Sequence, residues 1–366
     1  VKNSDSYIED KIIIQLKISE NLFELNQNKE ALKLCVDSLN LLNKNSLYVP
    51  AFDRYRNICL SNLIRKYKET DNDNIWEKVN FYIDKDITFI ANTAPYLSLE
   101  RRSEFTYQDI YKDSYDAIYS LDLFFSNLEK NNSYKNLLLS ARVNRNGLLE
   151  DIERRQTILK NSNAFNNFKS KKELQVIFNK LFNPNIRKKE IITLNQRKKT
   201  IEKDILSKLP KINYQKITVE KTKDALPLNS VLIEFQKYRT YSWDEKNNNF
   251  GKYRYKAIIL SKKGGIEIID LGESSVIDSE ILKSLNEVQF SSNIKKLGNW
   301  DKVSSLLLKP INQYIKDNSI IYLSFDSNLN FVPINLLRNN EGVYYSEIYE
   351  LRAVSSAREL IALKRT

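Results

Sequence analysis

The residues able to do chemistry in this chain are few, and they are the wrong kinds for most hydrolytic mechanisms. There are two cysteines, Cys35 and Cys59, and no histidine. A cysteine or serine nucleophile working near neutral pH needs a base of matching pKa, so neither a Ser/His/Asp triad nor a Cys/His dyad can be assembled from these residues. Each cysteine sits instead in an apolar stripe at helical spacing: Ala31, Leu34, Cys35, Leu39 and Leu42 for the first, Phe52, Tyr55, Cys59 and Leu63 for the second. That setting predicts two structural thiols in a reducing, cytoplasmic compartment, since metal sites and disulfide frameworks need clustered or more numerous partners.

Two carboxylates stand out because they interrupt or end apolar runs. Glu234 lies inside Val231-Leu-Ile-Glu-Phe235, and Asp326 closes the run Ile320-Ile-Tyr-Leu-Ser-Phe325. A carboxylate within a strand reads as salt-bridged or edge-facing rather than as a general acid, and an aspartate at a strand end suits an Asx-type turn. No phosphate-cradling glycine loop, metal-ligand cluster or recognisable carboxylate pair appears, so no catalytic, cofactor-binding or metal-binding residue is assigned and no cofactor is implied. Tyr107, Tyr111, Tyr115 and Tyr119 recur at helical spacing and read as packing between helices.

The formal charge is +12 and the pI about 9.3. Between Pro184 and Asp224 twelve Lys/Arg face five acids, so this stretch carries seven of those net charges. It reads as a solvated helix face, because no aromatic residues interleave with the cations from Arg187 to Leu209; the alternative is an adaptor binding nucleic acid or another anionic partner through a basic hairpin over 184–224. With 42% hydrophobic residues the chain can bury sizeable cores. Its longest apolar runs fall far short of the ~20 residues that cross a bilayer, so no membrane partner is expected.

The elements that must position these groups fall into two kinds. Up to about residue 209 apolar residues recur at three and four, with Gly147 the single glycine. Ile8, Ile12, Leu16 and Phe23 form one stripe and the Cys35 stripe forms the next, across a turn at Asn26 to Asn28. Further helices are predicted at about 52–69, 75–92, 100–128 and 134–160, stacked as hairpins. A charged hairpin follows: a short helix ends near Asn183-Pro184, and Ile191, Leu194, Ile201 and Ile205 continue at heptad-like spacing.

Beyond Pro227 the period shifts towards two. Strands are predicted at Val231–Phe235, Tyr255–Ser261 and Ile266–Leu271, the last two joined through Lys262-Lys-Gly-Gly265 with positive φ at its glycines. Helices over about 278–289 and 300–316 lead into a buried strand, Ile320–Phe325, implying a crossover in an α/β sheet. A last strand, about Ile348 to Val354, runs into Ser356, whose spacing to Glu359 predicts a capped helix. The domains are thus 1–165, helical hairpins; 166–212, a charged hairpin or linker; and 213–366, a sheet-forming half. Val1 is not an initiator, and the final helix has no later strand to return to. The expectation is therefore a fragment of a longer protein.

Several segments of this second half, in order, resemble the CHAT domain, a caspase-like family commonly found behind tetratricopeptide repeats. They are Asp224 to Tyr238; Tyr253-Arg-Tyr-Lys-Ala257 with Asp270-Leu-Gly272; Leu308-Lys-Pro310; Phe325 to Pro333; Ser355-Ser-Ala-Arg-Glu-Leu360; and, upstream, Val143-Asn-Arg-Asn-Gly-Leu-Leu149. The first helical pair, with Asn28-Lys-Glu-Ala-Leu32, looks like a tetratricopeptide unit. The resemblance implies an α plus α/β chain: tetratricopeptide-like hairpins followed by an incomplete caspase-like sandwich. It also implies a bacterial cysteine peptidase of the caspase and separase type, acting on a polypeptide substrate and controlled by a protein or peptide partner on the helices. The family's His and Cys lie downstream of these motifs, so no catalytic residue is carried over. A non-catalytic interaction scaffold is the competing expectation.

Overall fold

The computed structural model describes residues 2–25, 27–44, 76, 79–80, 83–84, 87–88, 90–91, 94, 115–125, 133–161, 169–181, 187–207, 216–242, 250–290 and 300–364. The chain divides into two compact units, neither contiguous in sequence. One comprises 1–83, 109–146 and 217–366, the other 84–108 and 147–216. The helix expected at 52–69, with Cys59, and the expected positions of Tyr107 and Tyr111 lie outside the described residues.

Helices α1 (Lys2–Glu24) and α2 (Asn28–Lys44) form the predicted N-terminal hairpin. Ile12, Leu16, Ala31 and Cys35 are buried between them. Ser19 Oγ donates to the Ala31 carbonyl at 2.9 Å, and the Ser38 hydroxyl reaches Gln15 Oε1 at 3.2 Å and the Leu34 carbonyl at 2.7 Å. These pairings run in opposite directions along the two helices and satisfy the hydroxyls that the interface buries. Cys35 is disulfide-bonded, which corrects its reading as a thiol. Apolar periodicity reports which face of a helix a cysteine occupies and carries no information about its oxidation state.

The described positions between 76 and 91 are helical, as expected for 75–92. The continuous helix expected over 100–128 is interrupted by a turn at Ser120, before α3 (Leu121–Phe125). The Ser120 hydroxyl donates to the Asp116 carbonyl at 2.8 Å and accepts the Tyr241 N–H at 2.9 Å, a side-chain competition with the backbone that favours the break. The helix expected over 134–160 is likewise two, α4 (Ser133–Arg145) and α5 (Leu148–Asn161). Gly147 separates them at φ 69°, a left-handed conformation that glycine adopts without a Cβ penalty. Helix α4 is buried almost all round, through Tyr134, Leu137, Leu138, Leu139, Ala141 and Val143, and so behaves as an internal helix of the sheet-bearing unit.

The chain returns to the second unit at Gly147 with α5 and continues through α6 (Lys169–Leu181) and α7 (Lys188–Ser207). The last two form the predicted charged hairpin. Ile177 and Ile201 are buried in it, and Arg197 Nε donates to Glu173 Oε1 at 2.7 Å. Lys216 pairs with Asp84, whose carboxyl is raised above the usual range by burial against the opposing pull of that lysine.

The sheet-bearing unit resumes at Ile217 with a short helix, α8 (Val219–Ala225), that periodicity did not predict. Thr218 caps it, accepting the Lys221 N–H at 3.2 Å. Five strands follow: β1 (Ser230–Tyr241), β2 (Phe250–Ser261), β3 (Ile266–Glu273), β4 (Ile320–Ser324) and β5 (Glu350–Ala353). Their order in the sheet is β3-β2-β1-β4-β5. Strand β2 is antiparallel to β1 and β3, whereas β4 is parallel to β1 and β5 to β4. The first two strands are longer than predicted and form a ribbon out to Tyr241 and Phe250. Gly264 and Gly265 turn the β2–β3 hairpin without positive φ; Gly272 takes it instead, at 98°, beside the register shift between β2 and β3.

Helices α9 (Ser274–Phe290) and α10 (Trp300–Leu307) cover one face of the sheet, and Pro310 breaks the predicted 300–316 helix into α10, a 3-10 turn and a further turn at Asn312–Ile315. Val231, Ile233, Phe235, Ala257, Ile259, Ile321 and Leu323 point to this side and meet Ile277, Ile281, Trp300, Val303, Leu307 and Ile311. Each Val, Leu, Ile or Phe side chain among them contributes roughly 1.5–3 kcal/mol by leaving water. The alternating residues Glu234, Gln236 and Tyr238 of β1 and Lys256 of β2 lie on the other face, which also receives α4. The last element, α11 (Ala357–Leu363), begins at the expected cap: Ser356 Oγ accepts the Arg358 N–H at 3.2 Å. Glu359 reaches back one residue further than in a standard box and accepts the Ser355 N–H at 2.7 Å.

Candidate functional site

Strands β4 and β5 end at Ser324 and Ala353, on the same side of the sheet, where parallel strands of α/β proteins commonly place their functional groups. The residues gathered there come from four of the segments singled out in the sequence. Glu234 is the centre. It is fully buried, opposite Ser324 in the β1–β4 register. One carboxylate oxygen accepts Arg142 Nε at 3.1 Å and the other accepts the Ala357 N–H, at the start of α11, at 2.8 Å.

Arg142 projects from α4 and spends its remaining donors on the same edge. They reach Gln236 Oε1 at 3.1 Å, the Phe325 carbonyl at 3.2 Å and Ser324 Oγ at 3.4 Å. Ser324 Oγ in turn donates to the Ser355 carbonyl at 3.0 Å, and Asn146 Nδ2 donates to that same carbonyl at 3.0 Å. A guanidinium with this many directed partners is fixed in plane, and so is everything it touches.

Asp326 joins the cluster by a route different from the expected Asx turn. Its Oδ2 accepts the Lys237 N–H at 2.8 Å and Gln236 Nε2 at 2.9 Å. Beyond Ser324, β4 no longer runs beside β1, and the aspartate satisfies a backbone donor that the ladder has abandoned. The following 3-10 turn is closed by the Leu329 N–H donating to the Asp326 carbonyl at 3.1 Å and by Asn330 Nδ2 donating to the Ser327 carbonyl at 3.0 Å.

A second buried cation lies on the same sheet face. Lys256, paired in register with Gln236, contacts the Asp122 carboxylate and the Tyr119 carbonyl, and its ammonium sits 4.1 Å from the Tyr238 ring centroid. Burial pulls its pKa below the ordinary lysine value, against the opposing effect of Asp122. On the opposite, α9-covered face Tyr255 donates to Asp278 Oδ1 at 2.9 Å, and Lys237 Nζ contacts Asp278 Oδ2 at 2.7 Å.

Chemically this arrangement holds and orients. Both oxygens of Glu234 are engaged and away from solvent, which does not suit a general acid. Among the described residues no group of three or more His, Cys, Asp or Glu is placed to hold a metal.

The sequence reading located Glu234, Asp326, the Val143–Leu149 segment and the Ser355–Leu360 segment, and the structure brings all four together. It gives no role to Arg142, or to Lys256 within Tyr253-Arg-Tyr-Lys-Ala257. A signal for both was present: each is a lone cation in an apolar run, Leu137-Leu-Leu-Ser-Ala-Arg-Val143 and Tyr255-Lys-Ala-Ile-Ile-Leu260, and each has a lone carboxylate to match, in Val231-Leu-Ile-Glu-Phe235 and Leu121-Asp-Leu-Phe-Phe125.

Of the basic segment, Arg187 to Lys216 belong to one unit and Lys221 and Lys223 to the other. Arg197 is paired with Glu173, Lys216 with Asp84, and Lys223 Nζ donates to the Gly264 carbonyl at 2.8 Å. Among the described residues no helix is long and apolar enough to cross a membrane. Compared with known proteins, the chain matches no protein-family model and no curated protein.

Proposed function

We propose that this chain is the partner-binding and structural portion of a tetratricopeptide/CHAT cysteine peptidase of the caspase type, and that it contributes no catalytic residue itself. The observation that carries the reading is the convergence of the family-like segments. Val143–Leu149, the Asp224–Tyr238 segment with strand β1, the Phe325–Pro333 turn and Ser355–Leu360 lie far apart in sequence, yet they meet around the Arg142–Glu234 pair. A sheet in which an antiparallel hairpin precedes parallel strands with helical connections is in keeping with the opening half of a caspase-like sandwich. The α1–α2 hairpin is in keeping with a tetratricopeptide unit, whose role is to hold a protein or peptide partner.

In this reading the cluster holds the carboxyl edge of the sheet rigid, and a His and a Cys supplied from outside these residues carry out the attack on a polypeptide substrate. The test is to read the coding frame past Thr366, express the longer protein and treat it with a cysteine-directed peptide probe. A downstream His and Cys, with labelling lost on Cys→Ala, is the expected result. A frame lacking either residue, or a longer protein that stays unlabelled with every partner offered, would turn the assignment to a non-catalytic scaffold.

A further inference from the structure

Asn144, one helical position past Val143, is fully buried and ties together two distant parts of the chain. Its Nδ2 donates to the Ile217 carbonyl at 2.7 Å, and its Oδ1 accepts the Ile217 N–H at 2.9 Å. The side-chain amide thus pairs with a backbone residue as a neighbouring strand would. Arg358, buried at the first turn of α11, brings NH2 to within 3.3 Å of the same Oδ1 and 3.4 Å of the Asn144 carbonyl.

The position of these residues in the chain gives the contact its meaning. The chain leaves the sheet-bearing unit after Asn146 and returns to it at Ile217. Asn144 therefore sits two residues before the departure and grips the residue of return, while Arg358 fastens the start of α11 to that grip. Asn146, the last residue before departure, is itself bonded to the Ser355 carbonyl just ahead of α11.

We propose that Asn144 and Arg358 form a clasp coupling the root of the Gly147–Lys216 excursion to the amino end of α11, so that a load on the excursion shifts α11 and, through Ala357 and Glu234, the carboxyl edge of the sheet. This rests on the reading above, in which a bound partner controls chemistry at that edge, and extends it: there the α1–α2 hairpin holds the partner, whereas here the load falls on the excursion. The clasp acts by position. Its parts are buried and hydrogen-bonded in one arrangement, and a local opening at either end removes a partner from the other.

Coupling of this kind is reciprocal, which makes it testable on the whole chain with no partner and no peptidase assay. Thr218→Ala weakens the cap of α8 beside the root, and Ser356→Ala weakens the cap of α11. Hydrogen exchange resolved to single amides is read at Ala357 and Arg358 for the first variant. For the second it is read at the Thr222 N–H, which is bonded to the Thr218 carbonyl at 3.0 Å. Each variant is expected to speed exchange at the distant site by about fivefold or more, by similar factors, as a coupling of ordinary size gives. Both cross-effects should vanish when Asn144→Leu is added.

Helices α8 and α11 also pack directly, and Lys364 Nζ donates to the Asp224 carbonyl at 2.6 Å, so a second route between them exists. Cross-effects that survive Asn144→Leu, or that never appear, overturn the clasp. Should Asn144→Leu fail to fold, Arg358→Lys takes its place: it keeps the charge but loses the fork that reaches Asn144, and undiminished cross-effects in that background overturn the proposal equally. Because the readout is exchange, failure here is distinct from failure to find a peptidase.

Discussion

Arg142 and Glu234 lie 92 residues apart in sequence and meet at 3.1 Å, with side chains 3% and 0% exposed. A buried pair of this sort adds little net stability over a well-packed apolar replacement, because desolvation offsets most of the attraction. Losing one member is another matter.

The asymmetry gives the first prediction. Arg142→Leu strands a carboxylate and Glu234→Gln strands a guanidinium, and each should cost ~3–5 kcal/mol in urea unfolding. The double variant should be less destabilised than the sum of the two. Strictly additive losses would mean that the two groups act separately.

Asp326 tests a different role. Asp326→Ala removes the acceptor for the Lys237 N–H and Gln236 Nε2, and should cost ~1–3 kcal/mol, while Asp326→Asn keeps one acceptor oxygen and should cost less. If the side chain only shaped its own turn, the exchange rate of the Lys237 amide would not change in either variant.

Gly147→Ala should be destabilising although alanine is the better helix former. At φ 69° the added Cβ meets the following carbonyl, a strain of about 1–2 kcal/mol. Thermal unfolding of the two proteins side by side measures it, and a stabilised variant would show that the break between α4 and α5 straightens.

Alkaline pH should unfold the sheet-bearing unit. Burial raises the phenol pKa values of Tyr119, Tyr238 and Tyr255 above the ordinary value. In the unfolded chain tyrosine releases its proton near pH ~10, so above that point the native state holds more protons than the unfolded one and stability falls as pH rises. Lys256 works with the opposite sign: its lowered pKa means that stability gains as pH climbs towards the free-lysine value of ~10.4. Above pH ~10 three phenols outweigh one ammonium. Urea midpoints should therefore drop there, with tyrosinate absorbance appearing together with unfolding and not before it.

Periodicity identified most of the elements because the faces that pack are repetitive. The stripes of α1 and α2, the heptad-like α7 and the apolar runs of β1, β2 and β4 are each long enough to state their own geometry. It missed what single residues decide. Ser120 and Gly147 break helices whose apolar pattern continues across the break, and α8 is too short to show a period. The cluster around Glu234 was legible only as separate pieces. Hydrogen bonds such as Ala357 to Glu234, and Arg358 to Asn144, join segments that no local pattern relates, so their convergence follows from topology.

Placing α4 ahead of the excursion and all five strands after it has a cost during synthesis. Arg142 emerges from the ribosome 92 residues before Glu234 and 183 residues before Phe325, several seconds earlier at translation speeds of roughly 5–20 residues per second, and at that point none of its acceptors has been made. Until Glu234 is delivered, an otherwise greasy helix carries an uncompensated charge, and a nascent chain stalled before residue 234 would present that helix to whatever chaperone waits at the exit.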